Sequence, residues 1–501
     1  MHNLTRRGFL GAAGLAAVGI AASCARREPS TTAITQAEWA DLRGVLRGSV
    51  VRPGDVDYPE LATPRNLRYA AVMPEAVVLC SGAQDVAAAL SWARATNTPF
   101  AIRGGGHNYS DASSSRGIVI STRRMNAASI QGGRLTVEAG ARNADLAALL
   151  PQDGRGTMLL PGGNCPGVGL AGLTLGGGIG PNAPWAGLTA DRLRKATMVT
   201  AEGKLVTASA NENPDLFWGL RGGAGGNFGV VTDLEYDLVE IPAPRVTTAE
   251  LNCRGRDAAL SMALGFQQLR ADAERTATGN LYLGHSEGDV EATLTAQVLG
   301  PENSARELLA AMLRITGVTA EITERPWWDA YSWYVTDTTP QYSFWDRSLY
   351  ADEFLSGDTL AEALEVVGRF PARGPADERN GAIGLYGWVG GAVADIADDD
   401  TAYVHRRARL LVEMSSWWPT PAEPSLPASP IPPEIQTWAQ QLWQVLLPHT
   451  TGQSYQNFPD PELREWASAY YGDNLTRLEG IKAAWDPEDV FSYSQGIPLP
   501  R

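Results

Sequence analysis

The sequence predicts an α+β fold in two domains, and three observations predict it. A chain of 501 residues with 44% hydrophobic content can bury more than one core. From Ala76 the residues alternate between strand-like and helix-like patterns. After Pro242 and Pro244 the texture changes to mixed strands and helices that hold many of the tryptophans. The length excludes a small binding module. A net charge of −15 argues against general affinity for nucleic acid or anionic membrane and suits a neutral or cationic small-molecule substrate.

Element by element, "TRRGFL" (Thr5 to Leu10) is a twin arginine followed by an Ala/Gly-rich apolar run too short and too weakly hydrophobic to span a bilayer. Residues 1–24 therefore read as a twin-arginine export signal. The expectation is passage through the twin-arginine export machinery, a secreted or extracytoplasmic location, and no integral membrane span in the mature form. The run ends in "AASC", which makes Cys24 a candidate lipid anchor, whereas Ala21 stands where such a signal usually has a larger aliphatic residue. A lipid-anchored and a cleaved, soluble form both stay open. Three cysteines then remain, Cys80, Cys165 and Cys253, an odd number, so at least one has no cysteine to pair with. Cys80 ends the apolar run "AVVLC" and reads as core. Cys165 lies in a loop of glycine and proline with no packing stripe.

"AVVLC" reads as a strand, "AQDVAAALSWARATNT" as a helix, and "PFAIR", "GIVIST" and "RLTVEAGA" as further strands. "KATMVTAEGKLVTAS" is two strands joined at Glu202 and Gly203. "NENPDLFWGL" reads as a helix with Asn213 as N-cap and Pro214 at its first position. "NFGVVTDLEYDLVE" alternates as a strand. In the second half "ATLTAQVLG" is a strand, "SARELLAAMLRIT" a helix, and the proline-rich Thr420 to Glu434 a surface excursion. The domains expected are 40–243, 244–450 and a C-terminal segment 451–501 that completes the first.

The stretch "RGGGHNYSD" puts three glycines before His107, bare backbone whose amides form a nest for an anion. A dinucleotide fold does not explain it, because there the glycines lead from a strand into a helix. "GGAGGNFG" follows a helix, and the residues after "GGGH" are small and polar. Arg103 to His107 as R-G-G-G-H, Gly162 to Val168 as G-G-N-C-P-G-V, a later G-G-G-x-G, and the C-terminal "YQNFPDPEL" and "YYGDNLTRLEGIKAAWDPEDVFSYSQGI" together resemble the berberine bridge enzyme-like branch of FAD-linked oxidases.

That resemblance implies a PCMH-type FAD-binding domain of two α/β subdomains, and a substrate domain with an antiparallel sheet covered by helices. It implies FAD attached twice, through the 8-methyl carbon to His107 and through C6 to Cys165. Arg103, Gly104, Gly105, Gly106, Asn108, Gly162, Gly163, Val168, Gly172, Gly229, Val231, Tyr455 and Asn457 are the further cofactor-binding candidates. Tyr455 is the candidate base, since a phenol with a lowered pKa can take a proton as hydride leaves for flavin N5. Phe458 replaces a tyrosine often found there. Glu413, in the apolar run "RLLVEMSSWW", is the second catalytic candidate, because burying a carboxylate is costly unless it is paired or protonated; strand alternation leaves a solvent-facing glutamate equally open. Val168 occupies the place that governs oxygen access, and a small residue there resembles the oxygen-reactive members. No metal site is expected. The reaction implied is oxidation of an alcohol, on a sugar or a glycosylated or polycyclic natural product, to a carbonyl with O₂ reduced to H₂O₂. The alternatives are oxidative ring formation, or an exported carbohydrate-binding protein without catalysis. The pairs Trp327/Trp328, Trp333/Tyr334 and Trp417/Trp418 read more readily as core than as a sugar platform.

Overall fold

The run Ala76–Leu79 is apolar at every position because it lies inside a sheet covered on both faces, and all four residues are buried. It pairs in parallel with Ile118–Ser121, which in turn pairs in parallel with Phe100–Arg103. Ser49–Val51 adds an antiparallel edge. The helix Ala83–Ala95 crosses over from Ala76–Leu79 to Phe100–Arg103 and packs Val86, Ala89 and Leu90 against the sheet. A computed structural model describes residues 33–152, 156–286, 288–335, 341–373, 378–420 and 429–500. The signal read at residues 1–24, with Cys24, and the middle of the proline-rich excursion lie outside the described residues. Among the described residues no helix is long and apolar enough to cross a membrane.

A second sheet is five-stranded and antiparallel, in the order Ala128–Gln131, Arg134–Glu138, Val230–Asp237, Leu193–Val199, Leu205–Ser209. The two sheets are the pair of α/β subdomains that the sequence predicts. The third is a seven-stranded antiparallel sheet in the order Thr319–Pro326, Arg245–Arg254, Asp289–Val298, Ala277–Ser286, Asn380–Tyr386, Leu410–Trp418, Ser343–Ala351. Helices Arg256–Asp272, Gly357–Gly368 and Pro433–Leu446 cover one face, where Phe266, Leu364 and Leu442 meet Leu294, Leu385 and Val412. Its other face looks toward the first half of the chain.

One local expectation is corrected and another holds in position only. "SARELLAAMLRIT" forms two short helices, Glu302–Leu308 and Ala310–Leu313, because Leu309 takes φ −87°, ψ 0° and closes the first. Asn213 is the N-cap residue of the helix Pro214–Gly219, with Pro214 at its first position, but it is left-handed and its side chain donates to the Thr207 carbonyl at 2.7 Å instead of accepting from the first turn.

Candidate active site

The loop from Gly104 to Asn108 leaves the strand Phe100–Arg103 and runs against the loop from Gly163 to Gly169. They touch backbone to backbone. A Cβ on Gly105 would stand 2.3 Å from the Gly169 nitrogen, and one on Gly169 would stand 2.5 Å from the Gly105 nitrogen, so each position admits glycine alone. A Cβ on Gly167 would likewise meet His107 Nε2 at 2.5 Å. Gly105, Gly167 and Gly169 thus let the two loops meet, and this brings His107 and Cys165 to one cavity. Asn143 clamps the second loop by donating to the Gly163 and Cys165 carbonyls at 3.2 and 3.0 Å.

The cavity has a volume of about 930 Å³ and is lined from three sides. Gly104, Gly105, Gly106, His107 and Asn108 come from the first loop, and Gly163, Cys165, Val168 and Gly172 from the second and the helix after it. Gly229 and Val231 reach it from the five-stranded sheet, Tyr455 and Asn457 from the C-terminal segment, and Glu413 from the seven-stranded sheet. Arg103 and Gly162 are not among its lining. Arg103 is buried, and its guanidinium donates to the carbonyls of Leu61, Ala62 and Ser113, all within 2.9 Å. It holds the loop's base. Gly162 lies behind the wall, near Leu173 and Thr189.

Tyr455 has a buried ring and a hydroxyl that receives three donors. The Gly178 and Ile179 N–H groups donate to it at 3.1 and 3.4 Å, and Asn457 Nδ2 at 3.1 Å. A neutral phenol has two lone pairs and one proton to give, so three donors match the phenolate better than the phenol. Burial raises its pKa above the ordinary phenol value and the Ile179, Asn457 and Gly178 donors offset only part of that rise, so the lowered pKa expected from the sequence is corrected to a raised one.

Opposite stands the uncovered face of the seven-stranded sheet. Along Leu410–Trp418 the residues alternate, with Val412, Met414 and Trp418 in the helix-covered core and Glu413, Ser415 and Trp417 facing the cavity. Glu413 is therefore buried, not solvent-facing. Tyr386 donates to Glu413 Oε2 at 2.6 Å, and the Tyr282 hydroxyl lies 2.6 Å from that of Tyr386. Oε1 is buried without a hydrogen-bond partner. Burial pushes the Glu413 pKa up to about 7 against the pull of the Tyr386, Tyr109 and Ser415 hydroxyls. Asp346 faces the same space, one strand away and opposite Ser415, and burial followed by the charge of Glu413 pushes its pKa well above the carboxylate range. Tyr109 completes the wall, stacked on Phe458 with centroids 4.8 Å apart and planes 3° from parallel.

Sequence reasoning did not find Tyr109, Tyr282, Asp346 or Tyr386. Of the aromatic pairs, Trp417 lines the cavity, whereas Trp327 and Trp418 pack in cores and Trp328 donates to the Gly156 carbonyl. Among the described residues no group of histidine, cysteine and carboxylate side chains could hold a metal.

The cavity fits an elongated flavin nucleotide. A Cβ on Gly172 would meet nothing within 4 Å, and at Gly225 and Gly226 only Leu175 and Tyr493 approach, at 3.6 and 3.9 Å, so bare backbone is left open to a ligand along one wall. Two families match the chain, "FAD binding domain" over residues 74–209 and "Berberine and berberine like" over residues 454–498. The chain is 33% identical to the uncharacterized FAD-linked oxidoreductase YgaK of Bacillus subtilis (strain 168), over 90% of this chain and 97% of that one. The protein belongs to the berberine bridge enzyme-like family of FAD-linked oxidoreductases. Within this family it is 28% identical to the chitooligosaccharide oxidase of Gibberella zeae, over 89% of this chain and 91% of that one. A solved chitooligosaccharide oxidase structure superposes with a TM-score of 0.79 at 26% identity, covering 93% of this chain and 100% of the other. Physcomitrella patens BBE-like 1 superposes with a TM-score of 0.80 at 25% identity, over 93% and 99%. The α+β fold with its FAD-binding half is that of the berberine bridge enzyme-like oxidases, and the chain is an FAD-dependent oxidoreductase.

Proposed function

We propose that the protein is an exported oxidase that converts a CH–OH group of a saccharide, free or on a glycosylated natural product, to a carbonyl. The observation that carries the reading is the Tyr455 hydroxyl, held by three N–H donors on one side of a cavity whose other side is a sheet face of hydroxyls, carboxyls and aromatic rings. Named carbohydrate and oligosaccharide oxidases among the relatives support the substrate class. FAD held by the two glycine loops, His107 and Cys165 would supply a two-electron acceptor for the hydride of the substrate carbon, with O₂ as the oxidant that is reduced to H₂O₂. Tyr455 Oη takes the proton of the substrate hydroxyl, and its three donors hold the charge that this leaves behind. Glu413 and the tyrosines beside it orient the saccharide by its remaining hydroxyls. His107 and Cys165 anchor the cofactor covalently, and Val168 leaves oxygen a way to it. Residues 40–243 and 451–501 form the cofactor domain, and 244–450 the substrate domain.

The test is a screen of purified yellow holoprotein against gluco-, xylo- and chito-oligosaccharides, with peroxide read by a coupled peroxidase. Peroxide should appear in equal amount with the carbonyl product. The reading fails if no saccharide yields peroxide or bleaches the flavin under anaerobic conditions.

A further inference from the structure

Among the described residues the buried acids are Asp85, Asp346, Glu413, Asp460 and Asp486. A buried carboxylate needs compensation from a cation or several donors, and three of the five have it. Asp460 receives Arg347 Nε at 2.8 Å and Trp345 Nε1 at 2.7 Å. Asp486 receives Lys482 Nζ at 2.7 Å together with the N–H groups of Val490 and Phe491. Asp85 accepts from the backbone of Arg47, Gly48 and Ser81 and from the Ser81 hydroxyl, each at 2.8 Å. Asp346 and Glu413 differ. Neither has a lysine or arginine partner among the described residues. Their compensation is by neutral groups alone: Asp346 Oδ1 takes a long bond from the Ser416 N–H at 3.3 Å with the Ser415 hydroxyl beside it, and Glu413 Oε2 accepts from Tyr386 at 2.6 Å, with the Tyr109 and Ser415 hydroxyls near, while Oε1 has no hydrogen-bond partner.

Both carboxyls face the cavity, on neighbouring strands, with Tyr109, Phe344 and Trp417 around them. Ring faces add attraction for a cation and little for a neutral hydroxyl. The missing counter-charge is thus in the ligand. We infer that the substrate is a saccharide bearing a free, protonated amine, seated between Asp346 and Glu413. Asp346 sets this preference. The inference rests on the oxidase reading above for the sugar, and on the carboxyl pair alone for the amine. The charge of Glu413 favours the protonated form of Asp346, and an ammonium group between the two would favour the charged form of both.

The experiment compares three disaccharides of one shape on the holoprotein by titration calorimetry: chitobiose with both amines free, its N-acetylated form, and cellobiose. The free amine should bind about 10- to 100-fold more tightly than either neutral sugar, the range of a charge-assisted bond. Asp346→Asn, checked for an unchanged flavin spectrum, should bring the three within about threefold by weakening the amine alone. Equal affinities in the wild type, tighter binding of a neutral sugar, or no heat from the amine would overturn the inference. So would a preference that survives in Asp346→Asn. Should that variant lose its flavin, the wild-type comparison decides by itself. Peroxide from cellobiose without preference for the amine would leave the oxidase standing and remove the amine. Amine binding without peroxide from any of the three would do the reverse.

Discussion

Tyr455 owes its proposed chemistry to what its oxygen receives. Two of its donors are successive main-chain N–H groups, so no side-chain substitution removes them, and the third is Asn457. Tyr455→Phe keeps the buried ring and deletes the oxygen, leaving Gly178 and Ile179 without their acceptor. Anaerobic reduction of the flavin by substrate should slow by about 10²- to 10⁴-fold, the usual span for losing a general base. Stopped-flow absorbance across pH measures it, with Glu413→Gln alongside. Near-wild-type reduction in Tyr455→Phe with collapse in Glu413→Gln would transfer the role to Glu413. His107, Cys165 and Tyr455 could be read from the sequence because each sits in a short run of fixed neighbours. Asp346 and Tyr386 could not. Their positions have meaning only once strand pairing sets Asp346 beside Ser415 and lets Tyr386 lean across to Glu413, and pairing between distant segments leaves no local trace.

Between residues and molecule, two loops decide whether the site exists. The contact of Gly105 with Gly169 leaves no room for a methyl group on either side, and backbone, unlike a side chain, has no rotamer in which to yield. Gly105→Ala should therefore cost about 1–3 kcal/mol as an overpacked contact and should pull the two loops apart. The flavin-to-protein absorbance ratio of the purified variant should fall well below wild type, while Gly172→Ala, whose Cβ meets no protein atom, should fold as stably as wild type. Full flavin content in Gly105→Ala would refute this account. The strands and helices themselves were mostly legible, since "AVVL" and the helix after it announce their periods. The split at Leu309 was not, because "SARELLAAMLRIT" has uniform helical propensity and nothing in it marks the break. Nor does a glycine run disclose whether it is open to a ligand or, like Gly105, used against another loop.

At the scale of the whole molecule the site is a meeting of separate cores. The helix-backed sheet has its own apolar interior, and a smaller cluster of Tyr350, Tyr386, Trp388, Tyr403 and Tyr455 joins it to the first half. If both proposed covalent anchors hold, denatured wild type should stay yellow. His107→Ala and Cys165→Ala should each keep flavin on the precipitated chain, and only the double variant should release it to the supernatant. Free FAD from denatured wild type would disprove the linkage. The C-terminal segment closes the assembly. Lys482, fully buried and paired with the equally buried Asp486, donates to the Asn227 carbonyl and, within the segment, to the Phe491 carbonyl, and the Ile497 N–H donates to Asn227 Oδ1 at 2.8 Å. Tyr455 and Asn457 lie in this segment, which follows every strand of the four sheets among the described residues. Tyr470, Tyr471 and the stretch from Val490 to Gln495 line the cavity together with Tyr455 and Asn457, so the cradle is complete only when this segment has docked on the rest of the fold.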